Sequence, residues 1–558
     1  MENLVIQIEQ SKIDIPTLKI NNYYIHSKYN PLKEAENFAL KNYKKGSFHV
    51  VFGGGLGYYT NAFNNLSGDG QDILVIDPIT DLNHDEKVHL DFSDNVLNNL
   101  IRDKLVGWTE IKLICLPNYS KLFPTYYLKV ARIVRDKMLI KQIFENTINQ
   151  HSDIWQENYI RNLEFLNKDK RIDDLKNKVD YPIIIASGGP SLTKQLDLMK
   201  QYRQKYILIA AGSTVTSLMK NDLEPDFVVV MDGKESNYKL FEDLKFTKAK
   251  LIYGLVTRYK IRKYFNQDAY HYLSTDCYMM EDHYIELTGN QATKLAGGGS
   301  VATFALSFAR FLSSGPITMV GQDLAYTNNL SHNATNKNVF QITEHFIKDR
   351  NLFEIEGYNG EKVLTGHNFL AMKEVFEIIY NDLENKGAIY NSTEGGVNIV
   401  GYQNMRLEDF TKRFLNLEID MSIFDMDSNL KYTHNKILMK LMNEVAAYEE
   451  GIKLLLDNIK LLNSTRSKRK FNSSILRRMD LNDGAFKILC NKVSVNLSAH
   501  KIVTNVLNGF KPAEFETENI KYNRIYNQND ELLNQLLELF IKAKRMTEDV
   551  VNNLKETS

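Results

Sequence analysis

The stretch PIIIASGGPS, residues 182–191, joins an uninterrupted apolar run to a turn of small residues. The same combination recurs further along the chain, where the apolar runs are residues 206–210, 227–231, 251–256 and 317–320. Segments of helical length lie between most of these runs. Apolar strands that alternate with helices are typical of a parallel sheet covered on both faces. The sequence therefore predicts a central α/β domain, which we place at residues 181–410.

The turns after these strands are the first candidates for a ligand site. In open parallel sheets, ligands bind outside the carboxyl ends of the strands, and several such ends here carry Gly, Ser or Asp. Glycine lets backbone amides approach an anion, and the start of the next helix favours negative charge. We therefore expect a phosphate-bearing, nucleotide-type ligand. The run GGGS at residues 297–300, before an apolar helix predicted over 301–312, is a second place for such contacts.

The first 125 residues predict a Rossmann-like N-terminal domain. A strand at residues 48–52 runs into the loop GGGLG at 53–57, and further strands are predicted at 73–76 and 111–115. Asp77 follows the loop at about the spacing of a ribose-binding acidic residue. Tyr58, however, stands where a dinucleotide fingerprint has its third glycine. The loop also resembles the glycine motif of methyltransferases, but a degenerate module is favoured over a working cofactor site.

Two regions of the chain are predicted to be helical. Residues 126–180 are polar with an apolar stripe and predict a helical connector, formed by one long helix or a pair. Residues 411–558 predict an all-helical C-terminal domain, because apolar residues there recur in alternating steps of three and four. We interpret these seams as helices that pack on one another within one chain.

Composition narrows the functional classes. The chain has 558 residues, with 69 Lys and Arg against 69 Asp and Glu, so its net charge is zero. This balance argues against broad electrostatic binding of nucleic acid or of anionic membranes. We find no P-loop, no HExxH motif and no acidic metal motif, so we expect neither a bound metal nor a required cofactor. The chain shows neither an apolar run of membrane-spanning length nor a secretory signal, and we expect a cytoplasmic protein.

Several motifs resemble those of the motility accessory factors. They are SGGPSL at 187–192, LEPD at 223–226, GGSVAT at 298–303, GQDLAYT at 321–327 and NSTEGG at 391–396. The resemblance is dense in the central domain, loose in the N-terminal domain and without a matching motif in the helical C-terminus. It implies a glycosyltransferase whose central domain is similar to bacterial sialyltransferases. The implied donor is a cytidine-monophosphate (CMP) nonulosonic acid of the pseudaminic or legionaminic type, and the implied acceptors are Ser and Thr hydroxyls of flagellin.

The strand-end argument and the resemblance together predict the site residues. The expected donor contacts are Ser187, Gly188, Gly189, Pro190, Ser191, Gly212, Ser213, Asp232, Gly299, Ser300, Gly321, Gln322 and Tyr326. Asp323 is predicted to act beside the donor at the floor of the crevice. His332 is predicted to be the general base, because a hydroxyl is a poor nucleophile and histidine titrates near neutral pH. His271 and His283 are the alternatives for the base.

Two other functions stay open at this point. The same domain family includes a pterin pyrophosphokinase, which would place ATP and a pterin in the crevice. A non-catalytic, flagellin-binding chaperone is the second alternative, because the C-terminus is long and helical. Whether the chain is a flagellin glycosyltransferase or a flagellin-binding chaperone, its C-terminal helices are expected to contact flagellin. The basic stretch RSKRK at 466–470 is one candidate surface for this contact. The oligomeric state is left open.

Overall fold

The computed structural model describes most of the chain, in two compact units. The described residues are 4–67, 72–79, 82, 88–89, 96–97, 100–101, 110–383, 388–425, 434–512 and 515–556. The first unit comprises Met1–Asn146 and the second Thr147–Ser558. The site residues predicted from the central domain all fall in the second unit.

The N-terminal unit contains the predicted Rossmann-like strands. Strands β1 (Ile6–Gln10), β2 (Pro16–Ile20) and β3 (Tyr23–Tyr24) form an antiparallel sheet that the sequence did not predict. Strands β4 (Phe48–Phe52), β5 (Ile73–Ile76), β6 (Val88–His89) and β7 (Ile111–Cys115) form a parallel sheet in the order β6-β5-β4-β7. The helices here are Pro31–Asn42, Tyr58–Ser67 and Tyr119–Leu122. The strands predicted at 48–52, 73–76 and 111–115 are confirmed with the bounds expected.

One helix of 39 residues, Pro124–Asn162, occupies most of the predicted connector. The prediction left one long helix or a helix pair open, and the structure has the single helix. Its Asn158 and Asn162 are buried, and their side-chain amides donate to the carbonyls of Gly233, Val256, Leu255 and Thr257. These bonds attach the end of the helix to the turns that follow two strands of the central sheet.

The second unit is built on a ten-stranded sheet. Its strands are β8 (Lys170–Arg171), β9 (Ile183–Ala186), β10 (Ile207–Ala211), β11 (Phe227–Val230), β12 (Lys250–Gly254), β13 (Ala269–Ser274), β14 (Lys294–Leu295), β15 (Ile317–Val320), β18 (Ile389–Asn391) and β19 (Gln403–Asn404). All of their pairings are parallel, as the continuous apolar runs predict. A separate antiparallel pair is formed by β16 (Phe353–Glu356) and β17 (Lys362–Thr365).

Helices cover this sheet and continue into the C-terminal region. They are Leu196–Gln201, Thr214–Lys220, Glu235–Phe241, Tyr259–Tyr264, Glu281–Thr288, Val301–Leu312, Glu344–Asp349, His367–Asp382, Leu407–Phe414, His434–Ser464, Ser473–Cys490, Asn496–Gly509 and Glu518–Glu556. The predicted helix over 301–312 has those bounds, and Ser300 caps it by accepting a hydrogen bond from the Ala302 amide. None of the described helices combines the length and the apolar character needed to cross a bilayer.

The strand order defines where a ligand can enter. The sheet runs β14-β13-β12-β11-β10-β9-β15-β18-β19, so the chain builds outward from β9 to β13 and later returns to the other side of β9 with β15. The chain segments that follow β9 and β15 therefore run to opposite sides along the sheet. A crevice opens at such a point, beyond the carboxyl ends of the two strands. The loops at those ends begin at Ser187 and Gly321.

The C-terminal helices share a core with the sheet. Leu441 of the helix His434–Ser464 and Leu554 of the last helix belong to the same buried cluster as Leu251 in β12. The helices His434–Ser464 and Glu518–Glu556 also pack along each other, as their apolar seams predict. Removing the chain after residue 410 would therefore expose the core, so point substitutions are better probes of this region than truncation.

A buried carboxylate, Glu444, joins the helical region to the α/β region. Its Oε2 lies 3.0 Å from Nε2 of His283, on the helix Glu281–Thr288. Its Oε1 accepts hydrogen bonds from the Tyr448 hydroxyl at 2.9 Å and from the amide and hydroxyl of Ser494 at 2.8 and 2.7 Å. Burial alone would raise the pKa of Glu444, but the attraction of His283 and the bonds from His283 and Ser494 lower it below its usual 4.5.

We expect Glu444→Ala to lower the free energy of unfolding by about 3–5 kcal/mol, because the buried donors around it lose their shared acceptor. The measurement is urea denaturation at pH 7. Since the native pKa is lowered, the stabilisation is present above pH 4.5 and is lost as pH falls through the native pKa, so the difference should shrink in acid. Glu450→Ala, on the exposed side of the same helix, is the control and should change stability little. Equal stability of the parent and Glu444→Ala at pH 7 would contradict this account.

Candidate functional site

A cavity of about 340 Å³ lies at the carboxyl ends of β9 and β15, where the strand order opens the sheet. Most of the site residues predicted from the sequence line it: Ser187, Gly188, Gly189, Gly212, Ser213, Asp232, Ser300, Gly321, Gln322, Asp323, Tyr326 and His332. Pro190, Ser191 and Gly299 do not. Pro190 and Ser191 are buried, and a Cβ at Gly299 would lie 3.3 Å from the Met372 side chain. The structure thus brings loops from four strands and one helix start to one place.

The loop after β9 is tied to the loop after β15 by the carboxylate of Asp323. Its Oδ2 accepts a 2.6 Å hydrogen bond from the Ser191 hydroxyl, and its Oδ1 accepts a 2.7 Å bond from the Thr327 hydroxyl. The Ser191 amide lies 3.3 Å from both oxygens. Asp323 is almost fully buried, and burial raises its pKa, with the bonds from Ser191 and Thr327 opposing the rise. Its oxygens are engaged within the protein, so the structure supports a positioning role.

Close backbone approach explains the glycines of these loops. A Cβ at Gly189 would lie 2.1 Å from Asp323 Oδ2 and 2.5 Å from the Gly321 carbonyl oxygen. Gly321 has a φ of 65°, and a Cβ there would lie 2.2 Å from the Ser187 carbonyl oxygen. Both glycines are thus required for packing. A bulky substitution at Gly189 would disrupt the loops themselves, whether or not a ligand binds there.

Only some of the backbone amides predicted to meet an anion are available. The Gly189 amide donates to the Gly321 carbonyl, the Gly212 amide donates to the Val229 carbonyl, and the Ser191 amide faces Asp323. The amides of Gly188, Ser213 and Thr214, by contrast, make no hydrogen bond within the described part of the chain. These three line the cavity and are the donors that an anion could use.

His332 is the histidine that lines the cavity. Its Cδ2, which is bonded to Nε2, lies 3.6 Å from where a Cβ at Gly188 would be, and the next residue, Asn333, donates its amide to the Gly188 carbonyl at 2.9 Å. Burial lowers the pKa of His332, so its neutral form predominates at neutral pH.

The two alternative histidines lie elsewhere in the second unit. His271 is buried with Nε2 3.0 Å from the Tyr284 hydroxyl, and its Nδ1 lies 3.5 Å from the Asp169 carboxylate. His283 is held between the Tyr159 hydroxyl and Glu444. Neither lines the cavity. The geometry therefore favours His332 among the three.

The charged side chains that line the cavity limit which ligands it can bind. Its described lining residues include two carboxylates, Asp232 and Asp323, and no lysine or arginine. Asp232 is exposed, and its Oδ1 accepts a 3.3 Å bond from the Lys234 amide. Backbone amides and hydroxyls, rather than basic side chains, are therefore the groups that would neutralise a bound phosphate.

The apolar wall of the cavity was not predicted from the sequence. It is formed by Met231, Phe241, Ile261, Val301, Phe340, Phe369 and Met372. Phe340 and Phe369 come from segments that carry no motif. Thr214, a polar lining residue, was also not predicted, although it directly follows the predicted Ser213. Phe340 is 47% exposed, which is unusual for so large an apolar side chain. No sequence periodicity marks these residues, because they come from separate loops and helices.

Backbone amides of the N-terminal glycine loop already donate hydrogen bonds to side chains of the same unit. The amides of Gly54 and Gly55 donate to Asp77 Oδ2 at 2.6 and 3.0 Å, and the Tyr119 hydroxyl donates to the same oxygen at 2.9 Å. The Leu56 amide donates to Nε2 of His26. The carboxylate that stands at ribose-binding spacing thus occupies the loop amides that a cofactor phosphate would need. This geometry agrees with a degenerate Rossmann-like module.

Comparisons with known proteins support this architecture. Residues 157–329 match the sequence profile of a family described as 6-hydroxymethylpterin diphosphokinase MptE-like. The solved structure of the MAf glycosyltransferase from Magnetospirillum magneticum AMB-1 superposes with a TM-score of 0.55 at 13% identity, over 99% of this chain and 94% of that chain. The chain has the fold of that glycosyltransferase. The resemblance to the motility accessory factors is thereby confirmed at the level of the fold. A search of curated proteins gives no match.

We expect Asp323→Asn to lower the free energy of unfolding by about 1–3 kcal/mol, because an amide group replaces one of two buried acceptors. Affinity for CMP, the donor nucleotide that the family resemblance implies, is expected to fall in parallel, since the loop that carries Gly188 loses its anchor. Thermal denaturation and titration calorimetry measure the two effects. Asp349→Asn, an exposed change, is the control and should leave both values unchanged. A destabilised Asp323→Asn protein that binds CMP as the parent does would separate Asp323 from the ligand site.

Proposed function

We propose that the chain is a glycosyltransferase that moves a nonulosonic acid from its CMP-activated form to Ser or Thr hydroxyls of flagellin. The observation that carries the proposal is the cavity at the junction of β9 and β15, where free amides and one neutral histidine face the same space. The fold shared with a glycosyltransferase supports the reaction class. The donor and acceptor rest on the motifs in the central domain.

The polar side of the cavity suits one phosphate. The amides of Gly188, Ser213 and Thr214 can donate to phosphate oxygens, and they would also stabilise CMP as it leaves with the bonding electrons. A nucleoside triphosphate carries more charge, and enzymes that transfer its phosphoryl groups neutralise that charge with lysine, arginine or Mg²⁺. The described lining offers no lysine or arginine, so ATP would depend on Mg²⁺ there, whereas the single phosphate of a CMP-sugar can be met by the amides alone.

His332 supplies the base in this proposal. The acceptor hydroxyl oxygen attacks the anomeric carbon, the bond from that carbon to the phosphate oxygen breaks, and the hydroxyl proton passes to Nε2 of His332. General-base assistance of this kind contributes about 10²–10⁴-fold. Because burial lowers the pKa of His332, the base is already neutral at pH 7. Activity should therefore fall only as pH drops through a value below the usual 6.5.

The test is transfer itself. Purified protein is incubated with flagellin and CMP-activated pseudaminic or legionaminic acid, and intact-mass spectrometry of flagellin detects the added sugar. We expect His332→Ala to lower kcat about 10²–10⁴-fold with CMP affinity nearly unchanged. His345→Ala, on the exposed face of the helix Glu344–Asp349, is the matched control and should transfer normally. Full turnover by His332→Ala would move the base to another group.

The second candidate is pyrophosphoryl transfer to a pterin, which the family match over residues 157–329 favours. Parallel incubation with ATP, Mg²⁺ and 6-hydroxymethylpterin tests it, with AMP release as the readout. AMP release without any sugar transfer would replace the proposed function. Flagellin that binds the protein but gains no mass with any nonulosonic donor would instead support the chaperone hypothesis.

A further inference from the structure

Ser331 joins the two ends of the loop that carries His332, through hydrogen bonds with Phe340. The Ser331 amide donates to the Phe340 carbonyl, and the Phe340 amide donates back to Ser331 Oγ at 2.9 Å. Asn333 and Asn336 hold the intervening turn, because their side-chain oxygens accept from the Thr335 and Asn338 amides. Ser331 itself is 8% exposed. The hydroxyl therefore has a fixed position next to the histidine ring.

Three groups surround the Ser331 hydroxyl, and they determine where its hydrogen can point. Besides the Phe340 amide, Nδ1 of His332 lies 3.1 Å from Oγ and the Asn338 carbonyl oxygen lies 3.4 Å from it. A hydroxyl has one hydrogen and two acceptor sites. The Phe340 amide uses one acceptor site. All contacts are satisfied together only when the hydrogen points to the Asn338 carbonyl and Nδ1–H of His332 donates to the second acceptor site.

We propose that Ser331 is a positioning residue that holds His332 in the tautomer with the proton on Nδ1, through the relay from His332 Nδ1–H to Ser331 Oγ–H to the Asn338 carbonyl. A neutral imidazole has one proton, so this tautomer leaves the lone pair on Nε2. The Nε2 edge of the ring is the one beside Gly188, where the substrate would lie. The opposite tautomer would present an N–H there and could not accept a proton.

This inference rests on the proposed function for its catalytic meaning, but the tautomer can be measured without turnover. The other titratable groups that line the cavity are Asp232, Asp323 and Tyr326, and none of them has a hydrogen bond to His332 among the described residues. The Ser331 contact is therefore the polar contact that can select the tautomer. Its role is comparable to that of the carboxylate that orients the histidine of a hydrolytic triad.

The first measurement is ¹⁵N NMR of protein labelled at histidine, with His332→Ala used to assign the His332 signals. In the parent we expect Nδ1 protonated and Nε2 unprotonated at pH 8. In Ser331→Ala we expect the two tautomers to mix, because Nδ1–H loses its acceptor. An Nε2-protonated ring in the parent, or an unchanged tautomer in Ser331→Ala, would overturn the proposal.

The second measurement is the pH dependence of transfer. We expect Ser331→Ala to lower kcat about 10–100-fold with little change in KM, the size of effect seen when the partner that orients a metal-bound histidine is removed. Activity falls in acid as His332 becomes protonated. Because the imidazolium loses a hydrogen bond in Ser331→Ala, the pKa of His332 should fall and this acid limb should move to lower pH. Ser331→Thr keeps the hydroxyl and should restore both values. Failure of Ser331→Thr to restore them would contradict the relay.

A control separates the relay from simple loosening of the loop. Thr335→Val removes the bond from the Thr335 hydroxyl to Asn333, in the same loop, without touching His332. It should leave the tautomer and the acid limb unchanged. An acid limb displaced equally by Thr335→Val would assign the effect to the loop. If no variant or parent transfers sugar while the NMR result holds, the relay stands and the proposed function fails.

Discussion

The carboxylate of Asp323 joins the two loops that form the crevice, since one oxygen accepts from Ser191 in the loop after β9. Its other oxygen accepts from Thr327, which holds the carboxylate within its own loop. Gly189 and Gly321 let these loops approach within backbone contact. The Gly188 carbonyl then accepts from Asn333, which fixes the start of the His332 loop. The free amide of Gly188 and the base are thus placed through one buried acceptor, and a buried acceptor of this kind is costly to leave unpaired.

Much of the fold could be predicted because buried parallel strands leave a direct mark in the sequence. The runs at 183–186 and 227–230 are continuously apolar, and each forms a strand at those residues. Strand β18 has three residues, too few to show a pattern, and it was not predicted as a strand. The sheet β1–β3 was missed because β1 and β2 are partly exposed and mix polar with apolar residues, and β3 has only two residues.

The candidate site could be predicted in outline but not in its chemistry. Small residues at strand ends identified the loops that line the cavity, yet a sequence does not show which amides are already paired. Gly189 and Gly212 donate within the protein, whereas Gly188 does not. Asp323 was predicted to act beside the donor, and Asp77 was noted only for its ribose-like spacing. In the structure each carboxylate instead accepts hydrogen bonds from its own domain.

The central claim is that the cavity between β9 and β15 binds the nucleotide of a CMP-sugar with His332 beside it. A crystal structure of the protein with CMP tests this most directly. The account predicts phosphate oxygens about 2.7–3.2 Å from the amides of Gly188, Ser213 and Thr214, with Nε2 of His332 facing the open side of the phosphate. CMP bound outside this cavity, or a phosphate that contacts none of these amides, would contradict it.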